Sequence, residues 1–462
     1  MQSYDAIIIG SGQAGNPLAR FFASKGMQVA IIEKSQVGGT CVNVGCTPTK
    51  TMVASAKVAY LTRRASDFGV MIGPVSMDME KIRARTQDIV LGSRNSNERS
   101  FEANPNIRLI RGEGKFSGPK TITINRKDGV VEEITAPKIY INTGGRPSIP
   151  KIEGLESIPY YISDTIFNLD HVPDHLIILG ASYISLEFAQ IYRRFGSKVT
   201  VISHGSDFLP REDEDISNIL LKILEEEGIE FLFECETKKV SKLGDKIQLE
   251  ILHKGNIENV QGSVLFIATG RDPNSNLNLE LAGIERDSKG FIKTNEYLET
   301  SATDIYALGD VKGGPAFTHI SYDDYRVIRE NFEAPYTKSI TGRLLNYCMF
   351  TDPELGRIGL NEMEAKKENK DYLVAHLPMT YVARAIEMGE TNGMMKVIID
   401  KSTQKILGAT ILAIQGGEIA STIQVAMEGG LAVSDLHNFV FAHPTMLESM
   451  NNLFAQTNTT SE

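Results

Sequence analysis

Two stretches of this chain repeat one pattern: an apolar strand, a glycine-marked turn, a helix and a second strand. Ala6-Ile7-Ile8-Ile9 runs into Gly10-Ser11-Gly12-Gln13-Ala14-Gly15, a helical stretch follows to Gly26, and Val29 to Glu33 reads as the next strand. Leu176 to Leu179 likewise runs into Gly180-Ala181-Ser182-Tyr183-Ile184-Ser185, with a helix to Gly196 and a strand from Val199 to Ile202. Two such βαβ units predict an α/β chain with two Rossmann-like dinucleotide-binding domains. The 462 residues leave room for about one domain more at ~150 residues each.

The first turn keeps the full fingerprint. Gly10 allows the tight turn, Gly12 lets backbone approach a pyrophosphate, and Gly15 allows close helix–strand packing, with the phosphates at the positive helix N-terminus. Glu33, 23 positions beyond Gly10, is placed to accept hydrogen bonds from a ribose. A glycine-rich turn of an ordinary α/β fold is the plainer reading of the same residues. The second turn has drifted: Gly180 stays, while Ser182 and Ser185 take the other two small positions. Ser203, followed by His204, stands where an acid would bind the ribose 2′-hydroxyl of NADH. With Arg211 nearby, this leans toward NADPH, NADH remaining possible. Arg211-Glu212-Asp213 also reads as a solvated surface run.

Between the two units, Met52 to Arg64 and Met79 to Arg99 read as helices and residues 107–142 as strands with turns. Residues 340–400 read as sheet, 405–455 as a strand with helices, and the last ten residues as a loose tail.

Of four cysteines, Cys41 and Cys46 lie five positions apart in Gly39-Thr40-Cys41-Val42-Asn43-Val44-Gly45-Cys46-Thr47-Pro48-Thr49-Lys50. Five residues of straight helix rise ~7.5 Å, too far for a disulfide, whose Cα atoms lie within ~7 Å. The pair bridges only if the backbone is distorted, for which Gly45 gives freedom. A helix beginning beyond Cys46 would lower the thiol pKa values through its positive end. A zinc site, the rival reading, lacks two further ligands at suitable spacing, so no metal is expected. Cys235 and Cys348, in strand-like apolar surroundings, read as buried structural thiols.

The Cys41–Lys50 segment resembles the redox signature of the pyridine nucleotide-disulfide oxidoreductases, which include lipoamide dehydrogenase, glutathione reductase and mercuric reductase. The resemblance covers nearly the whole chain. Tyr140 to Pro147, with Thr143 and Gly144, and Ile267 to Asn274, with Gly270, are similar to the two segments where that family's chain crosses between domains. Thr300 to Asp310 resembles its second FAD motif, and His443-Pro444-Thr445-Met446-Leu447-Glu448 its C-terminal acid–base motif.

The resemblance implies an FAD domain at 1–147, a nicotinamide domain at 148–270, a return to the FAD domain at 271–338 and an α+β dimerisation domain at 339–462. It implies Cys46 as the thiol against the flavin and Cys41 as the thiol that meets substrate. Gly39 and Thr40 belong to the FAD site, where Asp310 holds the ribityl chain. Lys50 pairs with Glu187 beside the flavin, and Tyr183, four residues before Glu187, covers the nicotinamide pocket. His443, oriented by Glu448, exchanges protons with Cys41 across a homodimer. Read alone, Glu187 is a surface helix residue and His443 a structural one.

The resemblance implies a small oxidant or disulfide as the substrate. No cysteine follows Cys348 and no metal-binding domain precedes Tyr4, so efficient mercuric ion reduction is not expected. Ser203, and Phe441 in place of a second histidine, separate the chain from dihydrolipoamide dehydrogenase, which stays as the alternative with low-molecular-weight disulfide reductase. Asp310 to Arg326, with Phe441 and the Met446–Phe454 ending, resembles a mercuric-reductase-like bacterial branch associated with reactive chlorine stress and hypothiocyanous acid reduction. A net charge of −10 argues against nucleic acid. No apolar run approaches the ~20 residues that span a bilayer. Met1 to Asp5 enters a strand at once, without a secretory start, which predicts a cytoplasmic protein with no membrane partner.

Overall fold

A computed structural model describes residues 1–455. Three five-stranded sheets carry the architecture. The first is wholly parallel, in the spatial order Ile305–Ala307, Lys138–Ile141, Ala6–Ile9, Val29–Glu33, Ile107–Arg111. Ala6–Ile9 and Val29–Glu33 are buried throughout, as strands covered on both faces must be, which explains their unbroken apolar runs. Helix α1 (Gly15–Ser24) packs on this sheet through Leu18, Ala19 and Phe22.

The chain then builds α2 (Gly39–Val44), α3 (Cys46–Arg63) and α4 (Met79–Glu102), the last opened by Asp78, whose carboxylate accepts the Lys81 N–H at 3.0 Å. The second sheet is parallel as well, in the order Tyr161–Ile162, Val264–Ile267, His175–Leu179, Lys198–Ile202, Ile229–Leu232. It carries α5 (Tyr183–Phe195) and α6 (Glu214–Glu226). After it the chain returns to the first sheet and forms α7 (Thr318–Glu333). The third sheet is antiparallel, in the order Asn346–Met349, Glu354–Gly359, Ile406–Ala413, Met394–Asp400, Tyr372–Pro378.

The two crossings between the parallel sheets pair with each other. Gly145–Pro147 lies antiparallel to Arg271–Pro273, so the way in and the way out form one two-stranded ribbon. One apolar cluster spans α3, α5, the second sheet and Met349, Leu355 and Leu412 of the third, fixing the cysteine-bearing helix against both.

The first residues of the expected tail are part of the fold. Leu453 and Phe454 are buried in a terminal helix, Ser449–Ala455, because their side chains complete the core of the third sheet. The remainder of that expectation lies outside the described residues. Among the described residues no helix is long and apolar enough to cross a membrane.

Candidate active site

The strand Ala6–Ile9 ends in Gly10 with φ +101°, where a Cβ would stand 2.2 Å from the Asn142 carbonyl oxygen. Asn142 locks the turn from the far side. Its Oδ1 accepts the Gly15 N–H at 2.9 Å, and its amide donates to the Leu308 carbonyl at 2.9 Å. A Cβ on Gly15 would meet the Gly10 carbonyl oxygen at 2.3 Å, so this glycine serves packing rather than lining a cavity. Glu33 accepts from the Ser11 N–H at 3.0 Å, the Ser11 hydroxyl at 2.6 Å and the Ser35 N–H at 2.8 Å.

These groups open onto a cleft of about 1890 Å³, well above the roughly 300–1,000 Å³ of an ordinary small-molecule pocket. Gly10, Gly12 and Glu33 wall one end, Gly39, Thr40, Thr143 and Gly144 the middle, and Asp310 another side. Burial raises the Asp310 pKa, against the charges of Arg271 and Lys312. Behind it, fully buried Asp324 accepts the Gly309 N–H at 2.8 Å and pairs with Lys312 at 3.4 Å and Arg343 at 3.0 Å, fixing the turn that presents Asp310. A glycine turn at a helix N-terminus, a ribose-side carboxylate and a cleft of this size suit a dinucleotide such as FAD.

The cysteine pair lies in the same cleft. Helix α2 stops at Gly45, whose φ of −125° and ψ of −118° break the helix, and α3 starts afresh at Cys46. The backbone folds so closely here that a Cβ on Gly45 would come 2.8 Å from the Thr40 carbonyl oxygen and 3.1 Å from Cys41 Cα. Both thiols are unbridged. The hydrogen bond from Cys41 pulls the Cys46 pKa down to about 6, against burial and with help from the Thr318 hydroxyl and the Lys50 charge. Sharing that bond, together with burial, pushes Cys41 up. Thr318, 3.3 Å from Cys46 Sγ, is the first residue of α7.

Lys50, one turn into α3, meets Glu187 of α5, which is 5% exposed. The ammonium also sits 4.7 Å from the centre of the Phe350 ring, and the Phe350 N–H donates to Glu187 at 2.8 Å. Tyr183 opens α5 and lines the cleft beside Glu187. Its hydroxyl donates to Glu212 and lies 3.3 Å from that of Tyr347.

The remaining candidates, Cys348 excepted, lie outside the cleft. Gly180 repeats the first turn, with φ +99° and a hypothetical Cβ 2.5 Å from the Ala268 carbonyl oxygen. The Ser182 N–H donates to the buried Ser185 hydroxyl at 3.3 Å. Gly270, with φ +131°, sits at the second crossing. Ser203 and His204 follow the strand Lys198–Ile202, and Arg211 is exposed. The surface-run reading of Arg211-Glu212-Asp213 fails beyond its first residue: Glu212 is 4% and Asp213 6% exposed, because both accept hydrogen bonds within the protein. His443 Nδ1 lies 2.8 and 3.0 Å from the Glu448 carboxylate oxygens, but the pair is apart from the cleft of its own chain. Cys235 is buried. Cys348 departs from a purely structural thiol, since it lines the cleft at its strand edge, with burial raising its pKa. No group of three or more His, Cys, Asp or Glu among the described residues is placed to hold a metal.

Sequence reasoning missed Asn142, Thr318, Asp324, Tyr347 and Glu212 as parts of this arrangement. For Thr318, its place just after a glycine-rich loop at a helix start was the available signal.

The chain matches the pyridine nucleotide-disulphide oxidoreductase family over residues 4–324 and that family's dimerisation domain over 345–454. It is 37% identical over 462 residues to the probable pyridine nucleotide-disulfide oxidoreductase RclA of Escherichia coli, covering 98% of this chain and 99% of the relative. It is 33% identical to a mercuric reductase of Bacillus cereus, covering 97% of this chain and 70% of that protein. The Cu(II) complex of the HOCl-induced flavoprotein disulfide reductase RclA from Escherichia coli superposes with a TM-score of 0.91 at 36% identity, covering 99% of this chain and all of that one. This chain therefore belongs to the pyridine nucleotide-disulphide oxidoreductase family, as an α/β flavoprotein disulfide oxidoreductase that works with FAD and a nicotinamide cofactor.

Proposed function

We propose that the enzyme reduces a small oxidant, hypothiocyanous acid or a related reactive species, at the expense of NADPH through the Cys41–Cys46 pair. The observation that carries this reading is the helix break at Gly45, which sets an acidified Cys46 thiol against Cys41 in a dinucleotide-sized cleft. Induction by HOCl, part of the name of a relative, supports an oxidant of the reactive chlorine class.

Bound FAD would supply two-electron transfer from the nicotinamide to the disulfide. Gly10, Gly12 and Glu33 would hold its adenosine end, with Gly15 closing the turn. Gly39, Thr40, Thr143, Gly144 and Asp310 would hold the remainder. Lys50, kept charged by Glu187, would stand beside the ring. Gly180, Ser182, Ser185 and Gly270 would form the nicotinamide turn, with Tyr183 as its cover. Ser203, standing where an acid would bind a ribose 2′-hydroxyl, favours the 2′-phosphate of NADPH together with His204 and Arg211.

With the pair reduced, His443 takes the proton of the Cys41 thiol, and the thiolate so formed attacks the sulfur of hypothiocyanous acid and forms a sulfur–sulfur bond to it. Hydroxide departs and takes a proton from His443 to leave as water. The Cys46 thiolate then attacks the Cys41 sulfur, expelling thiocyanate and restoring the disulfide. Glu448 orients the imidazole. Because His443 lies outside the cleft of its own chain, the proposed enzyme is a homodimer in which each chain completes the other's site. We assign residues 1–147 and 271–338 to the FAD unit, 148–270 to the nicotinamide unit and 339–462 to the dimerisation unit, and a cytoplasmic location suits a dithiol that must be kept reduced.

The test is anaerobic NADPH titration of the holoenzyme, followed by a panel of oxidants. Fast NADPH oxidation with hypothiocyanous acid supports the reading. Rapid NAD⁺ reduction by dihydrolipoamide, with no response to hypothiocyanous acid, overturns it.

A further inference from the structure

We propose that Glu212 is a positioning residue for the reaction: it latches Tyr183 shut over the nicotinamide side of the cleft, from a post that stays fixed when Tyr183 moves. This rests on the reading of Tyr183 as the cover of the nicotinamide pocket.

Glu212 lies in the loop between the strand Lys198–Ile202 and α6, and its side chain is sealed from solvent. A buried carboxylate is unfavourable unless charge and hydrogen bonds hold it. Its Oε1 accepts two phenolic hydroxyls, that of Tyr183 and that of Tyr347 at 2.7 Å. Arg357 Nη1 donates to the Tyr347 hydroxyl at 2.9 Å and lies 3.5 Å from Glu212 Oε2. Of these partners only Tyr183 belongs to the cleft-side end of α5.

The loop itself is held by the third sheet and its neighbouring turn. The Arg211 carbonyl accepts from Arg357 at 2.8 Å and Asn361 at 3.0 Å. Asp213 accepts the Glu362 and Met363 N–H groups at 3.1 and 3.0 Å and pairs with Lys396 at 3.1 Å. When Tyr183 swings aside, the carboxylate therefore keeps Tyr347 and Arg357 and is never left alone. Opening loses one charge-assisted hydrogen bond without stranding a buried anion, which makes the closed state favoured and the open state reachable. A cofactor that needs the open state then binds more weakly by the fraction of time the cover is open.

Steady-state kinetics of the holoenzyme test this. In Glu212→Gln the KM for NADPH should fall roughly three- to ten-fold, while the KM for the oxidant moves far less. Tyr347→Phe removes a partner that the carboxylate keeps when the cover opens, so it should raise that KM instead, and it serves if Glu212→Gln does not fold. In a Tyr183→Phe background, which lacks the latched hydroxyl, Glu212→Gln should have no further effect on KM. An unchanged NADPH KM in folded Glu212→Gln, or an effect of equal size in the Tyr183→Phe background, overturns the latch. If Tyr183→Ala itself leaves the NADPH KM unchanged, the cover reading falls, and the latch with it.

Discussion

Lys50 Nζ lies 2.6 Å from Oε2 and 2.8 Å from Oε1 of Glu187, tying the helix that begins at Cys46 to the helix that begins at Tyr183. The bond joins the cysteine-bearing helix and the helix whose first residue we propose covers the nicotinamide into one corner. Removing the ammonium would leave Glu187 buried with the Phe350 N–H as its remaining donor. Lys50→Met should cost about 2 kcal/mol in stability, less than a fully buried pair because Lys50 is 30% exposed. It should also lower the flavin midpoint potential by about 30 mV, equivalent to ~1.4 kcal/mol for two electrons, because a cation beside the ring favours the reduced form. Chemical denaturation and dye equilibration measure the two effects.

The lowered Cys46 pKa sets a pH dependence. With the pKa near 6, the thiolate of the reduced enzyme is present above that pH and is lost as pH falls through it. A broad long-wavelength absorbance from Cys46 thiolate against the flavin should appear on anaerobic reduction and fade with a midpoint near pH 6. Cys46→Ser should abolish it. Cys41→Ala removes the largest cause of the shift and should move the midpoint toward an ordinary thiol value of about 8.5. A midpoint unmoved by Cys41→Ala would assign the shift to Thr318 or Lys50 instead.

Gly45 carries the break that lets the two cysteines meet. Gly45→Val would drive a side chain into the Thr40 carbonyl, 2.8 Å from the new Cβ, and force Cys46 away from Cys41. The equilibrium constant for disulfide formation in a defined redox buffer should drop by about tenfold, a loss of ~1.4 kcal/mol of closure. Thiol counting before and after equilibration checks it.

Complementation tests the proposed dimeric site. Cys41→Ser and His443→Ala chains should each be deeply impaired as homodimers. Co-expressed and mixed statistically, they should recover about a quarter of wild-type activity, since half the dimers then hold one intact site. No recovery in the isolated heterodimer would show that His443 serves its own chain or none.

Much of the site was legible because its signals are local. The turn at Gly10, the Cys41–Lys50 segment and the Tyr183–Glu187 spacing each lie on one short element, and the geometry there follows from glycine and helix periodicity. Asn142, Asp324 and Tyr347 were not legible, because their partners come from strands and turns more distant in sequence. Glu212 was read among surface charges for the same reason: nothing within the loop foretells that Tyr183 and Arg357 converge on it. Leu453 and Phe454 were misjudged because polar neighbours masked two residues that the third sheet buries.

The paired crossings have an evolutionary consequence. Since Gly145–Pro147 and Arg271–Pro273 run side by side, the intervening hundred-odd residues form a cassette whose ends already touch. A gene encoding this chain can exchange that cassette without rerouting the rest of the polypeptide. If the nicotinamide unit lies there as proposed, donor specificity is inherited separately from the thiol chemistry it feeds.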